Sequence, residues 1–230
     1  MANSICNVLF QPRIGENYND GINGKKMLVL GASFCCDESD CKFFKDCTDE
    51  ENPQTTNYDQ KCPSYGKIER KLSESAQVEI DSFIEDDACY KSYCNFTHAM
   101  YKVLNKCGCL ELCNRESFWE HVAFTNYVQF MLPHKNTLKK NAAYQNNIEA
   151  LKGVISKLKP DILCVWGCVI NDFVCDGLKV KQREYVPNCY LGDFDFKGKS
   201  IVYINPYHPS SSDFKRDENT FVKYMFKILK

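Results

Sequence analysis

Residues 204–214 read INPYHPSSSDF. His208 is followed by a proline and three serines, directly after an apolar run that reads as a buried strand. Proline stiffens the backbone beside the imidazole, so His208 reads as a group placed at a strand's C-terminal end rather than packed. Ser210, Ser211 and Ser212 lie in the loop before a helix. Hydroxyls and the first N–H groups of a helix suit phosphate oxygens. Cysteine is the second chemical resource, with fifteen in 230 residues. Cys35, Cys36, Cys41 and Cys47 lie close together with Cys62 beyond, and Cys107, Cys109 and Cys113 form a tighter group. A structural zinc needs four thiolate or imidazole ligands in a tetrahedron. Cys107, Cys109 and Cys113 supply three, and a fourth must come from elsewhere. The alternative is a set of reduced thiols, several buried as small apolar residues. Cys164, Cys168 and Cys175 fit that alternative, in or beside a core strand and helix.

The chain that must position these groups is long enough for one domain with a real core. No Gly/Ser/Pro linker divides it, so residues 1–230 are expected to form a single domain. The formal net charge is −1. That excludes a global basic footprint, and any nucleic-acid surface must be a local patch. The first residues, MANSICNVLFQPRIGENY, lack a charged segment followed by an apolar one, so no signal peptide is expected. No apolar run reaches the roughly 18 residues of a membrane span. The expectation is a soluble, cytoplasmic monomer. With no export signal and an odd cysteine count, thiols or metal ligands are expected rather than disulfide bridges. The Asn95-Phe96-Thr97 sequon has no weight in that setting.

KKMLVLGAS, 25–33, reads as a buried central strand closed by Gly31. Residues 36–90 begin with an aperiodic, Cys-rich stretch and read as an insertion, within which 66–87 could form a surface helix. Residues 96–108 have helical spacing and a glycine stop. Residues 118–130 pass from a helical turn into a strand near Val122. Leu151, Val154, Ile155 and Leu158 form one helical stripe within 138–160, stopped by Pro160. DILCVWG, 161–167, is a buried strand, followed by a short helix over roughly 168–176. SIVYINP, 200–206, is another strand. A last helix closes the chain, with Ser212 or Asp213 as N-cap. Strands alternating with helices predict an α/β domain with a mainly parallel sheet. In such sheets ligands sit at the C-terminal strand ends. Four ends carry unusual residues: Gly31-Ala32-Ser33-Phe34, Thr125-Asn126-Tyr127, Trp166-Gly167 and Tyr207-His208-Pro209-Ser210.

These ends, in this order, resemble the uracil-DNA glycosylase superfamily, nearest its iron–sulfur branch. LVLGASF stands at the family's first motif, which is GEAPG-like. NFTHAMYKVL stands at its Phe-containing helix start, AFTNYVQ at its strand ending in Thr-Asn, LKPDILCVWG at its KPxxIVxxG strand and YHPSS at its late His-Pro-Ser. The likeness covers most of residues 25–35 and 96–229, but not the segment from 36 to about 90. It implies a three-layer α/β/α sandwich around a mainly parallel four-stranded sheet, carrying the Cys-rich insertion. It also implies DNA, single- or double-stranded, as the partner.

The resemblance assigns roles residue by residue. A glycosylase flips a nucleotide from the stack, holds its base and breaks the N-glycosidic bond. His208 matches the family's histidine, which donates to the leaving base as negative charge develops there. Asn126 matches the asparagine whose amide reads a pyrimidine edge with one donor and one acceptor; a strand-end cap is its structural alternative. Gly31, Ser33 and Phe34 would line the base pocket. Phe96 matches the stacking phenylalanine, and a helix-start core residue is the equal alternative. Ser210, Ser211, Ser212 and Lys215 would grip phosphates. Phe214 stands where the family often carries an apolar wedge, although a packed helix residue also fits.

The pattern departs in two places. Ala32 occupies the position of the acid that orients the attacking water. Asp37 and Glu38 follow closely and are the candidate substitutes. The family's cluster cysteines are also missing, since only Cys6 precedes the first motif. No cofactor is therefore expected for catalysis, with a structural zinc at Cys107, Cys109 and Cys113 as the metal candidate. Three functions follow: base recognition with excision of uracil or another deaminated or damaged base, a non-hydrolytic nucleic-acid-binding relative, or an unrelated zinc-binding α/β protein.

Overall fold

A computed structural model describes residues 5–36, 39–41, 44–48, 61–62, 70–85, 90–132, 138, 143, 145–184 and 189–230. The strands are β1 (Arg13–Ile14), β2 (Met27–Gly31), β3 (Lys61–Cys62), β4 (Arg70–Lys71), β5 (Val122–Asn126), β6 (Ile162–Val165), β7 (Lys181–Glu184), β8 (Cys189–Phe196) and β9 (Lys199–Pro206). The helices are α1 (Phe44–Cys47), α2 (Ser75–Glu85), α3 (Lys91–Cys107), α4 (Arg115–Glu120), α5 (Gln145–Leu158), α6 (Asn171–Leu178) and α7 (Ser212–Leu229).

The fold is α/β, as the alternation predicts, but the sheet is larger than expected. Instead of four strands it has seven, in the order β1-β5-β2-β6-β9-β8-β7, with β3 and β4 paired separately. β5, β2, β6 and β9 are parallel neighbours. β1 is antiparallel to β5, and β8 is antiparallel to both β9 and β7, so the sheet is mixed. The extra strands lack the continuous apolar runs of the central ones. CYLGDFDF in β8 alternates apolar and polar residues around a glycine, and Lys197 and Gly198 at φ 50° and 81° turn it into β9. Two successive positive φ values suit the twist of a tight hairpin.

Side chains alternate across the central strands, so each strand feeds two cores. Met27, Val29, Val122, Phe124, Ile162, Cys164 and Trp166 join one core with α2, α3, α4 and α7. Leu28, Leu30, Ala123, Leu163 and Val165 join the other, against Leu151, Val154, Ile155 and Leu158 of α5 and Val174 of α6. The predicted stripe on α5 is thus its buried face. α3 ends in Gly108 at φ 80°, the expected glycine stop, but it starts earlier than predicted, at Lys91.

The span 36–90 is not wholly an insertion. Its helix begins at Ser75 rather than near 66, and Ala76, Ile80 and Phe83 are fully buried. Phe83 packs edge-on to Trp119, with ring centroids 6.3 Å apart. No helix among the described residues is long and apolar enough to cross a membrane.

Arg13 fixes the β1 edge. It is 3% exposed. Its guanidinium donates to the Trp119 carbonyl and the Glu120 carboxylate, and its Nε lies 3.5 Å from Asp81 Oδ1. One cation thereby ties β1 to α2 and α4. Gly15 follows directly, and a Cβ there would lie 2.2 Å from the Glu120 carbonyl oxygen. Backbone cannot yield as a side-chain tip can, and overpacking typically costs about 1–3 kcal/mol. Gly15→Ala is therefore expected to lose about 2 kcal/mol or more of stability, read as a lower urea midpoint at unchanged m-value.

Candidate functional site

The parallel register puts one residue from each central strand end into a row. Gly31 pairs directly with Asn126. One step beyond the paired Leu30 and Val165, Gly31 stands beside Trp166, whose N–H donates to the Leu30 carbonyl at 2.9 Å. Trp166 in turn lies beside Pro206, as Gly167 N–H donates to the Pro206 carbonyl at 3.1 Å. By strand alternation Asn126, Gly31 and Trp166 project to the same face, the one covered by α3 and α7. Gly31 leaves room that a neighbour uses. A Cβ at Gly31 would lie 2.0 Å from Asn126 Oδ1 and 3.2 Å from Phe124 Cζ. The amide of Asn126 therefore leans across β2 towards β6.

Asn126 is 4% exposed, yet its side-chain amide makes no hydrogen bond among the described residues. Three neighbouring buried polar residues, Gln129, Asn147 and Thr125, are engaged. Gln129 Oε1 accepts from Leu9 and Phe10 N–H at 3.0 and 3.2 Å, and its Nε2 donates to the Asn126 carbonyl at 2.9 Å. Asn147 Oδ1 accepts from Gln129 N–H at 3.0 Å, and Thr125 Oγ1 donates to the Phe10 carbonyl at 3.2 Å. This scaffold fixes the backbone around Asn126 and leaves its side chain uncommitted.

Asn205 does the same for the other arm. Its Nδ2 donates to the Val165 carbonyl at 2.9 Å and the Gly167 carbonyl at 2.8 Å. That double bond clips the end of β6 to β9. Gly167 has φ 87°, and a Cβ on it would lie 3.1 Å from His208 Cβ. Only glycine combines that conformation with so close a neighbour. The imidazole meets the Trp166 ring edge-on, 6.2 Å between centroids. Ser210 N–H donates to His208 Nδ1 at 3.3 Å, and Ser210 Oγ is 2.8 Å from the same atom. A backbone N–H can only donate, so Nδ1 accepts and the neutral ring carries its proton on Nε2. Asn95 Nδ2, in the first turns of α3, donates to the Pro209 carbonyl at 2.6 Å. Spacing along the chain gave no sign of Asn205, Gln129 or Asn95. Their signal is polar side chains at strand ends and a helix start, where backbone carbonyls need donors.

The remaining candidates divide. Ser211, rather than Ser212 or Asp213, is the N-cap of α7; its Oγ accepts from Phe214 N–H at 3.1 Å and donates to the His208 carbonyl at 2.8 Å. The hydroxyls of Ser210 and Ser211 thus hold the His208 loop, while Ser212 and Lys215 are exposed. Phe214 is buried against Phe221 and takes the packing alternative. Phe96 is fully buried against Trp166, Phe118, Trp119 and Phe221, which leaves no face open for stacking. Phe34 is buried edge-on to Phe10. Ser33 Oγ is 4.0 Å from Cys35 Sγ. Ala32 donates no polar group, and its carbonyl accepts from Val128 N–H at 3.0 Å. Asp37 and Glu38 lie outside the described residues. A cavity of about 280 Å³ lined by Arg183, Leu191, Tyr224, Lys227 and Ile228 is formed by β7, β8 and α7 and contains none of the candidates.

Among the described residues no three His, Cys, Asp or Glu side chains are grouped to hold a metal. Cys109 Sγ instead donates to Asn23 Oδ1 at 3.0 Å, and burial raises the pKa of Cys107, Cys109 and Cys113, favouring thiols over thiolate ligands. Cys164 and Cys189 are buried thiols, with Cys189 pushed up to about 12 by desolvation. Cys168 is exposed rather than buried. Cys94 departs from the expectation of reduced cysteines, because it is disulfide-bonded.

Two outcomes follow. Gly31→Ala is expected to displace the Asn126 amide and cost about 1–3 kcal/mol, measured by denaturant titration; a neutral change would contradict the close approach. Iodoacetamide at neutral pH is expected to label Cys6, Cys35 and Cys168 well before Cys164 and Cys189, as read by peptide mass spectrometry. Equal rates at Cys164 and Cys168 would contradict the burial of Cys164.

Comparison of the chain with protein-family models gave no match, and neither did comparison with curated proteins.

Proposed function

We propose that the strand-end row binds a base flipped out of DNA and that the chain is a DNA glycosylase acting on uracil or another deaminated base. One observation carries this reading: the Asn126 side chain, 4% exposed, makes no hydrogen bond among the described residues, while Gln129, Asn147 and Thr125 around it are engaged. A planar ligand presenting adjacent N–H and C=O groups would satisfy both ends of the amide.

His208 supplies the second part. Its Nε2–H is the donor that would meet a carbonyl oxygen of the base. As the N-glycosidic bond breaks, the bonding electrons go to the base and the sugar becomes cationic. A fixed donor at the base oxygen stabilises that charge. Water then adds to the sugar carbon and loses a proton, leaving an abasic site. Ser212, Lys215 and the N-terminus of α7 lie beside His208 and are suited to the flanking phosphates. With Phe96 and Phe34 in the core, stacking on either ring would require that ring to leave its packed position.

A second reading has its own observation. Ala32 offers no side chain to orient the attacking water, so the same pocket would serve a protein that binds a base without excising it.

Single- and double-stranded DNA carrying uracil, hypoxanthine or xanthine distinguishes the two. Wild-type protein is expected to release the base, with alkali revealing the abasic sites. His208→Ala is expected to slow release about a hundredfold or more, and Asn126→Ala to weaken it. Folded wild type that binds these oligonucleotides without excising would establish the binding reading. No binding and no excision would exclude both.

A further inference from the structure

The strand-end row holds a second unused polar group. Trp166 is 3% exposed, and its indole N–H has no hydrogen-bond partner among the described residues. Arg13 Nε and Tyr18 Oη are in the same position. Arg13 has a carboxylate 3.5 Å from that atom, and Tyr18 lies by Lys26 and Asp161, at the opposite ends of β2 and β6. Trp166 differs in its place and its company. Its ring packs against Tyr93, Phe96 and Phe124, with centroids 5.6, 5.0 and 5.6 Å away. Those neighbours offer π faces and edges, which are weak acceptors at best. The imidazole of His208 is a further ring neighbour.

The chain's other tryptophan shows what a satisfied one looks like here. Trp119 is fully buried, and its Nε1 donates to Thr97 Oγ1 at 3.0 Å. Burying an indole usually brings a partner for its N–H. A buried donor without a partner calls for an explanation, and an absent ligand is one of the few available. Trp166 also lies on the same sheet face as the uncommitted amide of Asn126, with only Gly31 between them in the row. A buried donor and an uncommitted amide flanking a glycine gap, with His208 next in line, describe one site.

We propose that the Trp166 indole N–H is a hydrogen-bond donor to the bound base, joining His208 on the carbonyl oxygen where charge accumulates. This rests on the glycosylase reading and narrows it. Two donors on one atom of the ligand require that atom to be an acceptor, a keto oxygen. They reject an amino group, which would leave both donors unpaired. The substrate is therefore a base with a carbonyl at the position facing His208.

The test uses the two tryptophans, which give two indole signals in a proton–nitrogen correlation spectrum of isotope-labelled protein. The probes are free uracil and an oligonucleotide carrying deoxypseudouridine, whose carbon–carbon glycosidic bond cannot hydrolyse. The Trp166 indole proton is expected to move downfield on binding, while Trp119 stays in place as the internal control. Trp166→Phe keeps a ring but removes the N–H; with the Trp119 signal unchanged as proof of folding, it is expected to slow uracil excision about a hundredfold. A stationary Trp166 signal in protein that binds the probe, or excision by Trp166→Phe within about threefold of wild type, would overturn the role of Trp166. Excision lost in His208→Ala would then leave the glycosylase reading standing. A Trp166 shift with no excision of uracil would keep the donor and end the hydrolytic reading. No binding of either probe and no excision would end both.

Discussion

The clip made by Asn205 is the interaction on which the site depends. One side-chain amide donates to two carbonyls at the end of β6, at 2.9 and 2.8 Å. It satisfies backbone acceptors where the ladder between β6 and β9 runs out. It also holds Gly167 in its left-handed conformation, and that brings His208 against Gly167 and edge-on to Trp166. Replacing the amide by an apolar group would leave two buried carbonyls short of a donor, at about 1–3 kcal/mol for an unmet group. The imidazole would lose its seat at the same time. The loop after it adds further constraints: Ser210 sets the tautomer, Ser211 caps α7, and Asn95 anchors the Pro209 carbonyl from α3.

A parallel logic governs the β5 arm. Gln129 gathers the N-terminal segment, the Asn126 carbonyl and Asn147 into one satisfied network. Buried polar groups in a low-dielectric interior hold geometry firmly when all are paired. The backbone under Asn126 is therefore rigid, and the amide itself is left free. At Trp166 a buried donor goes without a partner among the described residues, while the packing beneath it is complete. Local rules are thus broken at one place and kept around it.

The cysteines separate into environments with different chemistry. Cys164 and Cys189 are core residues whose thiols resist ionisation because a thiolate would be desolvated. Cys6, Cys35 and Cys168 are open to solvent. Cys94 is cross-linked at the start of α3, one residue before Asn95, so the oxidised pair lies next to the anchor of the His208 loop. Composition alone treats all fifteen as one population.

Much of the fold was legible along the chain. Met27–Gly31, Ile162–Val165 and Lys199–Pro206 announce themselves as apolar runs ending in Gly or Pro, and the stripe from Leu151 to Leu158 has helical spacing. Local pattern suffices there because burial on both faces demands continuous apolar residues. β8 was not legible, since a strand at the edge of the central four alternates and carries charge. Nor was the role of α2, whose low polarity contrast conceals Phe83 under Trp119. His208 and Asn126 stood out by residue type at strand ends. Phe96 and Phe214 looked equally eligible, and only packing placed them in the core. Trp166 and Asn205 could be judged only in three dimensions. Whether a polar atom is satisfied depends on which acceptors the folded chain brings within about 3 Å, and sequence order does not encode that distance. The sequence by itself determined the central strands, the helix faces and the residue types at their ends. The tertiary structure decided which of those side chains are committed to the fold and which are not, because commitment depends on partners that only folding brings together.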